Sequence, residues 1–202
     1  MGILIKENNQ SLVTGSVGVS NNSSSVEVKD CIKYNVVSLI TDSTPIADTF
    51  VHGDVTVVSD TITLTAHGMT TGLKCALTTD GVLPTGLSAT DYFIIVIDVD
   101  TVSLATSANN ATAGTAVTIT AAAGGGTHTL TPYAIDGTVK LQASLDDTNF
   151  IDIDGSTQTI NSSETFMWDV IDFSYKFFRV VHTVTSGQFT VACTYTTKWD
   201  VH

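Results

Sequence analysis

Residues 137–153, GTVKLQASLDDTNFIDI, and residues 166–187, FMWDVIDFSYKFFRVVHTVTSG, decide the fold of this chain. The first stretch predicts a strand over 137–144, a turn built on Asp146 and Asn149, and a returning strand over 150–154. In the second, Phe166, Trp168 and Val170 share one face, because side chains alternate along extended backbone. Tyr175, Phe177 and Arg179 share a face of the next strand, with Phe178 and Val180 opposite, which assigns most of these aromatics to a core. Strands over 158–160 and 188–197 complete the series. Turn signals recur about every eight to twelve residues, the spacing of an all-β sandwich.

Upstream, residues 26–45, VEVKDCIKYNVVSLITDSTP, form a β-branched run broken by Lys29, Asp30 and Lys33 and closed by Ser43, Thr44 and Pro45. It predicts two successive strands. Roughly ninety residues then separate this run from the strand that starts at Gly137. Most of that block differs in composition. Over residues 49–132 Lys74 is the only basic residue other than histidine, against six Asp, and the block carries the low-complexity run AAAGGG at 121–126. Such a shift marks an inserted domain, and insertion at an exposed turn costs little because loop-closure entropy grows slowly with length. The expected organisation is a discontinuous antiparallel β-sandwich, jelly-roll or Ig-like, over 1–48 and 133–202, interrupted by a small β domain over 49–132. Within the insert, residues 54–59 and 61–66 alternate at period two, His67-Gly68 opens a turn, and residues 92–105 predict a hairpin turning near Asp98 to Thr101. Strands over 114–120 and 127–131 close the unit.

The chain has 202 residues, 43% of them hydrophobic, which suffices for a substantial core. Only three Glu are present (Glu7, Glu27, Glu164), and the abundance of Thr, Val and Ser favours strands over helices. Net charge is −12 and the eight Lys and Arg are scattered, so no basic surface forms to neutralise phosphates, and nucleic-acid binding is not expected. The acidity serves solubility or complements a basic partner. Cys31, Cys75 and Cys193 are far apart without a C-x-x-C pair and read as buried small hydrophobes in a reducing compartment. No apolar run reaches membrane-spanning length, and the segment beginning Met1-Gly2-Ile3 does not read as a secretory signal.

The quoted stretches resemble a small β-sandwich recurrent among structural proteins of tailed bacteriophages. Gly137, Val139, Leu141, Gln142 and Ser144 carry the strand motif, and Asp146, Asn149, Phe150, Asp152 and Ile153 the turn. Phe173, Tyr175, Phe177, Arg179, Thr185, Ser186 and Gly187 carry the later strand, so the likeness spans about a third of the chain. The insert is similar to a module of phage tail and accessory structural proteins, through residues 64–72 (LTAHGMTTG), 83–87 (LPTGL), 92–95, 103–107 and 114–117. The resemblance implies a non-enzymatic virion protein without cofactor, assembled in the host bacterial cytoplasm. On that footing the expected role is capsid decoration or head accessory, with the major capsid protein or other virion proteins as partners and a homo-oligomeric state. The alternative is a tail, adaptor or fibre component, with a carbohydrate-binding role at a receptor. Ile3, Leu4 and Ile5 form an apolar hook that either adds a strand to a neighbouring subunit or is an edge strand of its own sandwich.

Other chemistry is weighed residue by residue. Asp146, Asp147, Asp152 and Asp154 offer hard oxygen ligands for calcium, but Phe150 and Ile151 interrupt them and no EF-hand spacing is present. His52, His67 and His128 lack the spacing that sets two imidazoles on one side of an element, and no metal site is expected. No nucleophile elbow or Cys/His pairing stands out. Asp98 with Asp100, and Asp169 with Asp172, supply carboxylate pairs outside any glycosidase-like sequence. Trp168, Tyr175, Phe177 and Phe178 read as core against the alternative of a sugar-stacking platform, and Arg179 is expected to pair with a carboxylate or cap a loop.

Overall fold

The computed structural model describes residues 4–17, 21–23, 25–28, 33–122, 124–171 and 175–201. The chain is all-β and its sheets are antiparallel. Four strands come first: β1 (Leu4–Val17), β2 (Asn21–Asn22), β3 (Val26–Glu27) and β4 (Lys33–Asp42). Seven follow: β5 (Asp48–Phe50), β6 (Val55–Thr56), β7 (Thr61–Thr63), β8 (Lys74–Thr79), β9 (Asp91–Asp98), β10 (Thr101–Ala105) and β11 (His128–Pro132). The last are β12 (Asp136–Ser144), β13 (Ile151–Asp152), β14 (Gln158–Ile160), β15 (Glu164–Ile171), β16 (Phe177–Ser186) and β17 (Phe189–Val201). One compact unit comprises Met1–Asp42, Asp136–Thr185 and Phe189–His202; the other comprises Ser43–Ile135 with Ser186–Gln188.

The first unit is a sandwich. Its four-stranded sheet runs β1-β17-β4-β15, and its second sheet runs β13-β12-β16-β2, with β14 also on β12 and β3 also on β16. Alternation turns Val36, Ile40, Phe166, Trp168 and Val191 of one sheet, and Val139, Leu141, Phe178 and Val180 of the other, into the buried interior. Contacts across the layers fix the pairing of faces. Phe178 meets Tyr195 edge-on at 5.5 Å between ring centroids, and Ser38 Oγ lies 3.2 Å from His182 Nε2. Each large aliphatic or aromatic side chain buried here contributes about 1.5–3 kcal/mol. At Gly137 a Cβ would collide with the Thr183 carbonyl on β16, so this motif glycine lets two backbones approach.

The second unit is a single sheet, β5-β11-β8-β9-β10-β7-β6, whose two end strands are consecutive in the chain. Only Val51 and the 3₁₀ turn His52–Asp54 join them. The five Cα-to-Cα steps from Phe50 to Val55 reach at most about 18 Å, while seven flat strands would be about 29 Å across. The sheet must therefore curl round on itself, and it encloses Phe50, Ile62, Leu64, Leu73, Leu77, Ile94, Leu104 and Leu130.

Within this unit the structure departs from the sequence expectations. Residues 114–120 are not a strand: Val117 N donates to Leu104 O, Ile119 N to Asp60 Oδ1 and Thr120 N to Thr85 O, so the peptide groups go to three different segments rather than one ladder. Just before them lies a helix, α1 (Ala108–Thr112), whose first turn is capped by the Ser107 side chain accepting from Asn110 N. Strand β8, which no expectation covered, pairs with both β11 and β9 and carries the buried alternating pair Cys75 and Leu77. The boundaries between units also sit at 42/43 and 135/136 rather than 48/49 and 132/133. Hydrogen bonds from Thr44 to Gln188 and from Tyr133 N to Lys74 O hold the flanking residues within the second unit.

Candidate functional site

The motif residues of β12, β13 and β16 converge on one outer face of the sandwich. Asp146 closes the turn after β12: its Oδ1 accepts from Asn149 N at 2.8 Å, Thr148 N at 3.0 Å and Ser144 Oγ at 2.9 Å, and its Oδ2 from Asn149 Nδ2 at 2.7 Å. The bonds from Asn149, then those from Thr148 and Ser144, hold its carboxyl well below the usual carboxylate range. The turn presents Phe150, over which the Arg179 guanidinium stacks at 4.0 Å from the ring centroid. Arg179 Nε donates to Gln142 Oε1 at 2.8 Å, Gln142 Nε2 donates to Asp152 Oδ1 at 2.8 Å, and Lys140 Nζ lies 2.7 Å from Asp152 Oδ2. Arg179 thus takes an amide and an aromatic ring, and its charge reaches a carboxylate through Gln142. A direct carboxylate pair is not among its described contacts, because Asp152 is already engaged by Lys140 and Gln142.

Beside this network a shallow depression of about 220 Å³ is lined by Ala143, Ser144, Leu145, Asp146, Asn149, Ile151 and Tyr175. Leu145 and Ile151 expose more than half of their surface there. A second depression, of about 430 Å³ on the inserted unit, is lined by Thr78, Thr79, Asp80, Thr127 and Thr129. Both are open hollows whose acidic members already serve the backbone: Asp146 as above, and Asp80 through Thr127 N at 2.6 Å.

The calcium candidates do not converge on a common point, since Asp146 and Asp152 spend their oxygens on the turn and the network. Among the described residues no group of three or more His, Cys, Asp or Glu could hold a metal ion. The carboxylates of Asp98 and Asp100 cap the hairpin, accepting from Asp100 N at 2.9 Å and Ala66 N at 2.8 Å. Asp169 accepts from Asn35 Nδ2 at 2.7 Å, and Asp172 lies outside the described residues. His67 accepts from Met69 N on Nδ1 and so donates from Nε2 to Asp98 O, pinning one end of the insert's hairpin. His128 and His182 are buried, and burial lowers the pKa of each, that of His182 to about 4. Burial pushes the Cys75 and Cys193 thiols up to about 12, which leaves them unreactive, and Cys31 lies outside the described residues.

Trp168 is buried and its Nε1 donates to Ser156 O at 2.8 Å, so its ring is not a surface platform for sugars. Leu4 and Ile5 open β1, where they pair with Val201 and Asp200 of β17, and Ile3 lies outside the described residues. Sequence reasoning missed Lys140 as a partner in this face, named Gln142 only as a motif residue, and missed Ser156 as a partner of the buried Leu141 and Trp168. Lys140 and Gln142 carried a signal, being polar residues at i and i+2 of one strand. Ser156 carried none, because its bonds to Leu141 and Trp168 are set by how the sandwich closes.

No protein-family model matches this chain, and no curated protein matches it.

Proposed function

We propose that this chain is a non-enzymatic structural protein of a tailed-phage virion, carried in many copies on the capsid exterior as a decoration or head-accessory protein. One observation carries the reading: the residues by which the chain resembles phage virion sandwiches are consumed by architecture. Asp146, Asn149, Phe150, Gln142, Asp152 and Arg179 satisfy one another in a turn and a cross-strand relay, which is what a scaffold motif requires and what a reacting site avoids. The inserted unit supports it from a second side. Its one basic residue other than histidine, Lys74, is held by Asp91 at 2.9 Å and lies over the Tyr133 ring, leaving an acidic exterior suited to a basic protein surface. Docking through the sandwich loops would stabilise a shell by mass action, each copy binding only the assembled lattice.

Quantitative mass spectrometry of purified virions of the phage that encodes the chain tests this. A ratio near one to the major capsid protein, or one copy per capsomer, is the expected result. Tens of copies per virion would overturn capsid decoration in favour of a tail or fibre role, and absence from virions would overturn the reading entirely.

A further inference from the structure

The two edges of the sandwich's four-stranded sheet are built differently. At one edge the register of β1 with β17 slips between Ser11 and Val13. A bulge is a device that keeps an edge from pairing. At the other edge β15 pairs with β4 without interruption from Glu164↔Ile40 to Ile171↔Lys33, and it contains neither Lys nor Pro, its charged residues being Glu164 and Asp169. Among the described residues no strand pairs with its far side.

Which peptide groups face outward follows from the ladder. Asp42 N donates to Ser163 Oγ at 2.9 Å, so this N–H points toward β15. Peptide directions alternate along a strand, so Ile40, Ser38 and Val36 also address β15 and meet Glu164, Phe166 and Trp168. The peptide groups of Thr165 and Met167 therefore point away from β4. Their side chains lie on the sheet's outer face, where Met167 is 66% exposed and adjoins Val37 and the 44% exposed Leu39.

We infer that a second copy of this chain docks on this edge, β15 against β15 in antiparallel register about a two-fold axis at Met167, joining the two four-stranded sheets into one. In that register Met167 faces the partner's Met167 and Thr165 faces the partner's Asp169. Glu164 faces the partner's Val170. No acidic residue then opposes another, whereas parallel in-register pairing would set Glu164 and Asp169 against their own copies. Charge selects the place as well. At −12 the chain repels its copies, and residues 165–168 (TFMW) form an uncharged stripe on the edge. A closed two-fold contact of this kind uses the same patch twice. The contact stands on the edge alone and holds whether or not the chain belongs to a virion.

Sedimentation velocity of the full chain from about 1 to 100 μM in physiological salt tests this. The expected result is a reversible dimer, weakened at least about tenfold by Met167→Lys, which sets two ammonium groups face to face at an exposed position. Oxidation of two single variants tests the register, with the wild type as control for the native cysteines. Met167→Cys crosslinks, because directly opposed residues of a hydrogen-bonded pair stand about 5.5 Å apart, within disulfide reach. Thr165→Cys does not, its own copies being about 13 Å apart along the strands. A monomer throughout the range, a dimer indifferent to Met167→Lys, or equal crosslinking by both cysteine variants would overturn the inference.

Discussion

The sandwich and the inserted unit both bury an apolar interior, yet they hold it by different means. The sandwich relies on length: β1, β4, β16 and β17 span ten residues or more, and β17 pairs with neighbours on both sides. Among the described residues the longest strand of the insert has eight residues, and β6 has two. What its ladders lack is made up by side chains that tie loops to distant backbone. Asp60 receives Ile119 N at 2.6 Å, Asp80 receives Thr127 N at 2.6 Å, Asp100 receives Ala66 N, and Thr71 receives Val96 N. A sheet that curls tightly cannot keep long straight ladders, so it spends polar side chains where an open sandwich spends backbone.

The largest test of this contrast is to hollow each interior in turn. Phe178→Ala in the sandwich should cost about 3–5 kcal/mol and Leu130→Ala in the insert about 2–5 kcal/mol. Both tryptophans, Trp168 and Trp199, belong to the sandwich unit, so their fluorescence reports that unit alone. During denaturant titration Phe178→Ala should move the fluorescence midpoint. Leu130→Ala should instead move the midpoint for thiol labelling of Cys75, resolved by mass spectrometry from that of Cys193. If each variant moves both midpoints equally, the two units unfold as one and the contrast fails.

Acid should act next most strongly, through the buried histidines. Burial lowers the folded pKa of His182 to about 4, while an unfolded histidine takes its proton near 6.5. The unfolded state therefore binds more protons between these values. The stability tied to His182 is complete above about pH 6.5 and is lost as pH falls toward 4, by about 3 kcal/mol. His182→Gln, which keeps a partner for Ser38, should flatten that slope in tryptophan-detected melting. An unchanged slope would mean that His182 is not the group responsible. His128 is lowered in the same direction by burial, opposed by the Asp80 carboxylate, and should give the insert its own acid-side loss.

The smallest effect sharpens the claim about loops. Asp60 adopts φ 56° while accepting Ile119 N. Asp60→Ala loses the acceptor and the short polar side chain that eases a left-handed conformation, for a cost of about 2–3 kcal/mol. Asp60→Asn keeps the acceptor in a residue that tolerates this conformation, and should recover most of the loss. Thermal melting of the pair, with Cys75 labelling as readout, decides it: equal losses would assign the effect to charge rather than to the bond.

Much of the sandwich was legible because its strands are long enough for alternation to declare itself. Phe166, Trp168, Phe178 and Val180 fall on the interior faces that period two assigns them. In the insert the same rule extended a strand over residues 114–120 where there is none, and passed over β8, whose Cys75 and Leu77 do alternate. The turn at Asp146 was legible as a turn, since Asp and Asn bond their own neighbours. The relay from Arg179 through Gln142 to Asp152 was not, because its members are contributed by three strands.

By itself the sequence determined what depends on near neighbours: an all-β chain, the turn at Asp146–Asn149, the hairpin of β9 and β10, and an acidic, Lys-poor segment set inside a different one. Tertiary structure alone decided the closure of the inserted sheet, the partners of Arg179 and Trp168, and which edge strand of the sandwich has a slipped register and which a regular one. Periodicity reports the face a side chain takes on its own strand. Which strand arrives beside it is settled only when residues a hundred or more positions apart compete for the same interior, as Ser38 and His182 do.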